Sequence, residues 1–174
     1  QGPDAMKLLK DLGTNSFEKF PINLAKQYAP CSPDGYVIGD VVLVHLEENL
    51  FNLIGRPSVL NWVQYHCETK GYDARCERDE RAFVRKGAIE RKAYRFQIQG
   101  PNAMKLIEKV LGKTPEQLKF FHMCEMQIAG CTVRALRHGM AGQPGYELFG
   151  PWADGEKVRQ AFIAAGDEFG LRLV

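Results

Sequence analysis

The phrase QGPDAMKLL at residues 1–9 returns almost letter for letter as QGPNAMKLI at residues 99–107. A fold that writes one phrase twice uses one supersecondary unit twice, and that constrains the architecture more than any composition can. The second copy shows what the phrase encodes. Tyr94–Ile98 is rich in aromatic and branched residues and reads as a strand. Gly100-Pro101 breaks it, with Pro101 suited to the first turn of a helix. Met104, Leu106, Ile107, Val110 and Leu111 then recur at helical spacing. The phrase is therefore a strand–turn–helix joint. In the first copy Met6, Leu8, Leu9 and Leu12 make the same apolar stripe, without a strand before it. Gln1 is no ordinary start residue, so the natural chain is expected to begin earlier.

The segments downstream of the two copies also match. After the first come Leu24–Pro30, a turn at Pro33-Asp34-Gly35, strands over 36–46 and 50–55, and a helix over 57–71. After the second come strands over 124–130, 131–139 and 146–150, and a helix from Pro151 to about Gly166. Both halves obey the split βαβ, ferredoxin-like grammar, which predicts an α+β protein of two related lobes. The expected boundaries are a first lobe over 1–77, a charged connector over 78–93 and a second lobe over 94–174. Leu171–Val174 reads as the start of another strand.

Gross composition excludes more than it assigns. A net charge of +2 gives no footing for nucleic acid as a partner. No apolar run is long enough for a membrane helix. Five cysteines, with no C-x-x-C pair, read as reduced thiols of a cytoplasmic protein. Neither His66, Cys67 and Cys76 nor His122, Cys124 and Cys131 has a zinc-site spacing, so no metal is expected. In and just after the connector, Arg78, Arg81, Arg85, Lys86, Arg91, Lys92 and Arg95 are offset by Asp79, Glu80 and Glu90. They read as solvated surface in preference to a site for an anionic tail. His45, His66, His122 and His138 are scattered and read as packing or surface residues.

The segment with most chemical promise is RHGMAGQPGYELFGPW, residues 137–152. Gly139, Gly142, Pro144 and Gly145 form a loop whose backbone can approach a ligand closely, and the loop then delivers Tyr146 and Glu147 on a strand. With no G-K-[ST] and no helix directly after the glycines, it is not a phosphate-binding loop.

The order QGPNAMKL, MQIAGCTVRAL, GMAGQPGYEL resembles the folate-binding domain of the aminomethyltransferase family, whose type member is the glycine-cleavage T-protein. GMAGQPGYE stands where that family has G-Y-T-G-E-x-G-[FY]-E, and residues 39–58 resemble its D-D-L-x-V-Y … V-V-N-A-S hairpin. The phrases GYVIGDV, LEENLFNLIGR, ERDERA, YRFQIQGPNAM and LRHGMAGQPGYELFGPWAD are most similar to the branch of tetrahydrofolate-dependent O-demethylases of vanillate, syringate and 3-O-methylgallate. The resemblance covers essentially the whole chain.

It implies transfer of a methyl group from a methoxylated aromatic acid to N5 of tetrahydrofolate. It implies that Glu147 holds the pterin, with Gln97, Tyr146 and Phe120 (or its neighbour Phe121) as further cofactor contacts. Asp40 matches an aspartate near the reacting nitrogen and is the catalytic candidate. Arg56 replaces the family asparagine where the substrate differs, and a guanidinium suits a benzoate carboxylate. Met140 and Gln143 replace a family tyrosine and glutamate, so those roles do not carry over. The main proton donor is expected outside these residues, and this stretch alone is expected to be inactive. An aminomethyltransferase, a folate-binding regulator and a non-catalytic interaction module are the rival readings. Arg56 and Met140 weigh against the first, and the regulator's K-G-C-Y-x-G-Q motif is missing.

Overall fold

A computed structural model describes residues 1–79, 91–139 and 141–174. It is a mixed α+β chain that divides into two compact units, Gln1–Arg78 and Asp79–Val174. Most of the charged connector, including Arg81, Arg85, Lys86, Glu80 and Glu90, lies outside the described residues, as does Met140.

In the first unit, helix α1 (Ala5–Leu12) leads to strands β1 (Ala25–Tyr28), β2 (Val41–Glu47) and β3 (Leu50–Gly55), then helix α2 (Pro57–Thr69). The strands form one antiparallel sheet in the order β1-β2-β3. The apolar stripe of α1 puts Leu8 and Leu9 in the core, where they meet Tyr28, Val41, Leu43, Val59 and Val63. Pro57 opens α2, where its missing N–H costs no hydrogen bond.

The second unit repeats the plan with one strand more. Strand β4 (Ala93–Gln99) leads into helix α3 (Ala103–Leu111), then β5 (Met123–Ile128), β6 (Cys131–Leu136), β7 (Gly145–Pro151) and helix α4 (Gly155–Gly166). The sheet order is β4-β7-β6-β5, all antiparallel. Helices α3 and α4 cover one face of it, and Ile107, Ile128, Val133, Leu148 and Val158 are fully buried between.

The repeated phrase folds identically in both units. Gly2 and Gly100 take φ of 131° and 141°. Ala5 N–H donates to Gly2 O at 3.0 Å, and Ala103 N–H to Gly100 O at 3.1 Å. Gly2 N–H donates to Asn49 O, immediately before β3, and Gly100 N–H to Pro144 O, immediately before β7, both at 3.0 Å. The joint thus pins the same hairpin corner twice. Strands β1-β2-β3 correspond to β5-β6-β7, and the first sheet has no counterpart of β4 among the described residues.

Three local expectations change. The strand read over 36–46 begins only at Val41, because Gly39, at φ 151°, turns the chain, while Tyr36 and Val37 stay exposed. Pro101 sits in the turn ahead of α3, which starts at Ala103. Leu171–Val174 forms no strand. Leu171 instead donates its N–H to Gly166 O at 3.0 Å and packs on the second core.

Candidate functional site

Side chains alternate across a strand, so adjacent residues of β7 serve opposite faces. Tyr146 points to the helix side. It is 2% exposed, belongs to the core, and donates its hydroxyl proton to the Glu116 carbonyl. Burial raises its phenol above the usual range. Glu147 points to the other face, where Leu136 is its partner on β6 and Gln97 its partner on β4.

That face carries a charged cluster on an apolar bed. Leu136 and Phe149 are buried, and the guanidinium of Arg95 lies 4.5 Å from the Phe149 ring centroid. Arg95 Nη1 donates to Glu147 Oε1. His138 lies two residues beyond Leu136, which returns its ring to the face of Glu147, and its Nδ1 is 3.1 Å from Glu147 Oε2. Glu147 itself is only 9% exposed, and this pairing is what lets a carboxylate stand so deep. Arg95 is therefore no solvated surface residue, and His138 no bystander. Arg78 and Arg91 are also engaged, with Asn61 and Asp79 respectively.

The glycine-rich loop is stitched to β4 by two amides. Gln97 Nε2 donates to His138 O at 3.0 Å and Gln99 Nε2 to Gln143 O at 3.1 Å. Where the loop enters β7, Gly145 has φ 145°, and a Cβ there would stand 2.8 Å from Gln99 Cα. Only glycine allows so close a crossing. Beside the loop, Phe121 stacks on the His138 imidazole, with centroids 5.4 Å apart and planes at 21°. Phe120 packs on Phe121 at 4.3 Å and remains 56% exposed.

Glu147, Gln97 and Phe120 thus gather at one end of the second sheet, and Tyr146 serves the opposite face. The Glu147 carboxylate uses one acceptor position on each oxygen for Arg95 and His138, and a carboxylate has about four. It retains capacity for a two-pronged donor such as a pterin edge, and exposed Phe120 offers a neighbouring aromatic surface. The residues present fit that group.

The other two candidates belong to the first unit. The last rung of the β2–β3 ladder is Val41↔Gly55; Asp40 directly precedes it on one strand and Arg56 directly follows it on the other. Both are exposed. Gln27 Nε2 donates to Asp40 Oδ2. Arg56 precedes Pro57 at the N-terminus of α2, where the helix dipole adds positive potential. Among the described residues no group of three or more His, Cys, Asp or Glu side chains is arranged to hold a metal, and no helix is long and apolar enough to cross a membrane.

Residues 1–174 match the GCVT N-terminal domain family. The chain belongs to that family. Among its GCVT relatives, syringate O-demethylase of Sphingobium sp. is 53% identical over 174 residues, all of this chain and 37% of that protein. Sesamin methylene transferase of Sinomonas sp. is 29% identical over 98% of this chain and 35% of its own length. The aminomethyltransferase of Shouchella clausii is 26% identical over 98% of this chain and 44% of its own. The chain therefore spans well under half the length of these GCVT relatives. The crystal structure of glycine cleavage system aminomethyltransferase T from Bartonella henselae superposes with a TM-score of 0.69. It covers 97% of this chain and 42% of that one at 18% identity, which establishes the shared fold.

Proposed function

We propose that the full-length protein is a tetrahydrofolate-dependent O-demethylase acting on a methoxylated aromatic acid, with this chain supplying the pterin anchor and a substrate-carboxylate contact. The observation that carries the reading is the Glu147 carboxylate, buried, fixed at both oxygens and still able to accept a paired donor. The 53% identity to a syringate O-demethylase supports the aryl-ether branch over amine chemistry.

Each residue then has a defined task. Glu147 accepts from the amino group and adjacent ring N–H of the pterin, a charge-assisted pair of hydrogen bonds. Arg95 and His138 hold it in place. Gln97 secures the loop through the His138 carbonyl, and Phe120 lies against a flat ring. Arg56 binds the substrate carboxylate, and Asp40, at the same end of the β2–β3 ladder, orients the groups that react. Tetrahydrofolate, when bound, supplies N5 as the methyl acceptor. The chemistry is an in-line displacement that releases a phenol, so most of the catalytic effect comes from positioning.

The test mixes the full-length protein with tetrahydrofolate and vanillate, syringate or 3-O-methylgallate and measures 5-methyltetrahydrofolate by mass. Formation of that product, abolished by Glu147→Ala, is the expected result. No methyl transfer from any of the three would overturn the demethylase reading and bring an aminomethyltransferase forward.

A further inference from the structure

A single carboxylate on a strand has freedom that a ligand must remove before it can bind. Glu147 has little left to remove, and the two groups that fix it come from different elements. Arg95 reaches Oε1 from the neighbouring strand β4. His138 reaches Oε2 from the glycine-rich loop, which no ladder hydrogen bond holds at that point. The imidazole is itself held from two directions. Phe121 stacks nearly parallel to it, with a backbone φ of 62° that is uncommon for a bulky side chain. Gln97, the direct cross-strand partner of Glu147, holds the His138 carbonyl at 3.0 Å. Phe121 N–H donates to Arg137 O at 2.9 Å, and Arg137 N–H to His122 O at 3.0 Å, which ties the aromatic segment to the end of β6.

We infer that His138 is a positioning residue for ligand recognition: it transmits the placement of the glycine-rich loop to the Glu147 carboxylate and fixes the rotamer in which that carboxylate meets the pterin. The inference rests on the reading of Glu147 as the pterin anchor. The Nδ1–H of the imidazole is the donor that matters, because a carboxylate accepts and the contact is made by Nδ1. Asparagine places an amide N–H close to where Nδ1–H lies, whereas alanine leaves Glu147 Oε2 without its partner.

The experiment measures the dissociation constant for tetrahydrofolate with the full-length protein and its His138→Ala, His138→Asn, Glu147→Ala and His138→Ala/Glu147→Ala variants, with thermal midpoints alongside. His138→Ala is expected to weaken tetrahydrofolate binding by about tenfold, because the ligand must then itself immobilise the freed carboxylate. His138→Asn is expected to recover most of that loss. In the Glu147→Ala background the histidine change is expected to add nothing, because its effect runs through the carboxylate. In turnover, the loss should fall on KM for tetrahydrofolate and spare kcat. Wild-type affinity in His138→Ala, with Glu147→Ala impaired, would overturn the role of His138 and leave the anchor standing. Equal weakening by alanine and asparagine, tracking a fall in thermal midpoint, would overturn it in favour of a packing role. Wild-type affinity in Glu147→Ala would overturn both assignments together.

Discussion

Arg95 and Glu147 form an ion pair on the face of the second sheet turned away from the helices, with side-chain exposures of 25% and 11%. The same guanidinium lies over Phe149, so one side chain serves charge and packing together. Arg95→Ala would leave a nearly buried carboxylate with His138 as its remaining partner and uncover an aromatic ring. Breaking a buried pair costs about 3–5 kcal/mol, and the partial exposure of Arg95 reduces that to about 1–3 kcal/mol. Arg95→Lys keeps the charge but not the planar group over the ring and should fall between the two. Denaturant unfolding of the three proteins measures the order, and a lysine variant weaker than alanine would contradict it.

Gly145 and Gly142 lie in one loop and differ in what surrounds them. A Cβ on Gly145 would meet Gln99 Cα at 2.8 Å with φ at 145°, whereas a Cβ on Gly142, at φ 66°, meets nothing within 4 Å. Gly142→Ala should therefore cost only the left-handed backbone penalty, about 1 kcal/mol. Gly145→Ala must also push β4 from β7, at the point where Gln99 and Gly145 are paired, and should cost about 2–3 kcal/mol or more. It should also reduce tetrahydrofolate affinity, since Glu147 is two residues on. Equal unfolding midpoints for the two variants would refute this account.

The repeated joint, β3 over 50–55 and the start of α2 at Pro57 were legible in the sequence, because each is set by local signals: a glycine-proline break, an apolar run and a proline at the first helical turn. The late start of β2 was not, since the run from Tyr36 to Leu46 reads as strand until Gly39 is known to turn. Tyr146 and Glu147 are adjacent in sequence, and their separation onto opposite faces follows from strand periodicity once the helices are placed. The Arg95–Glu147–His138 cluster depends on register between β4, β6 and β7, which no local pattern states. The one available signal was His138, placed directly before the glycine-rich loop that carries the family resemblance.

Alkaline pH should destabilise the protein through its buried tyrosines. Burial raises the Tyr94 phenol to about 12 and raises those of Tyr28 and Tyr146 above their ordinary value of 10.0. A phenol is neutral when protonated, so a raised pKa means that the folded state resists ionisation that the unfolded chain accepts. The stabilisation is complete below pH 10, and it is lost as pH rises from there through the folded-state values. The thermal midpoint should be insensitive to these groups near neutrality and fall steeply above pH 10. A thermal midpoint that stays level from pH 10 to about 12 would contradict the prediction.

Arg56 offers the sharpest separation of function from stability. It is exposed at the N-terminus of α2, directly after the last rung of the β2–β3 ladder, and makes no ion pair with any described residue. Surface side chains of that kind contribute within about 0.5 kcal/mol, so Arg56→Ala should unfold at the wild-type midpoint. If the guanidinium binds the substrate carboxylate, the same change removes a charge-assisted contact and should raise KM for a methoxybenzoate at least tenfold, leaving tetrahydrofolate affinity unchanged. Arg56→Lys should recover part of the loss, because a point charge replaces a planar fork. The decisive comparison is an uncharged substrate, the corresponding methoxybenzamide. Wild type should discriminate strongly against it and Arg56→Ala only weakly, since the alanine variant has no cation left to reward the carboxylate. Equal discrimination by the two proteins would move the carboxylate contact away from Arg56.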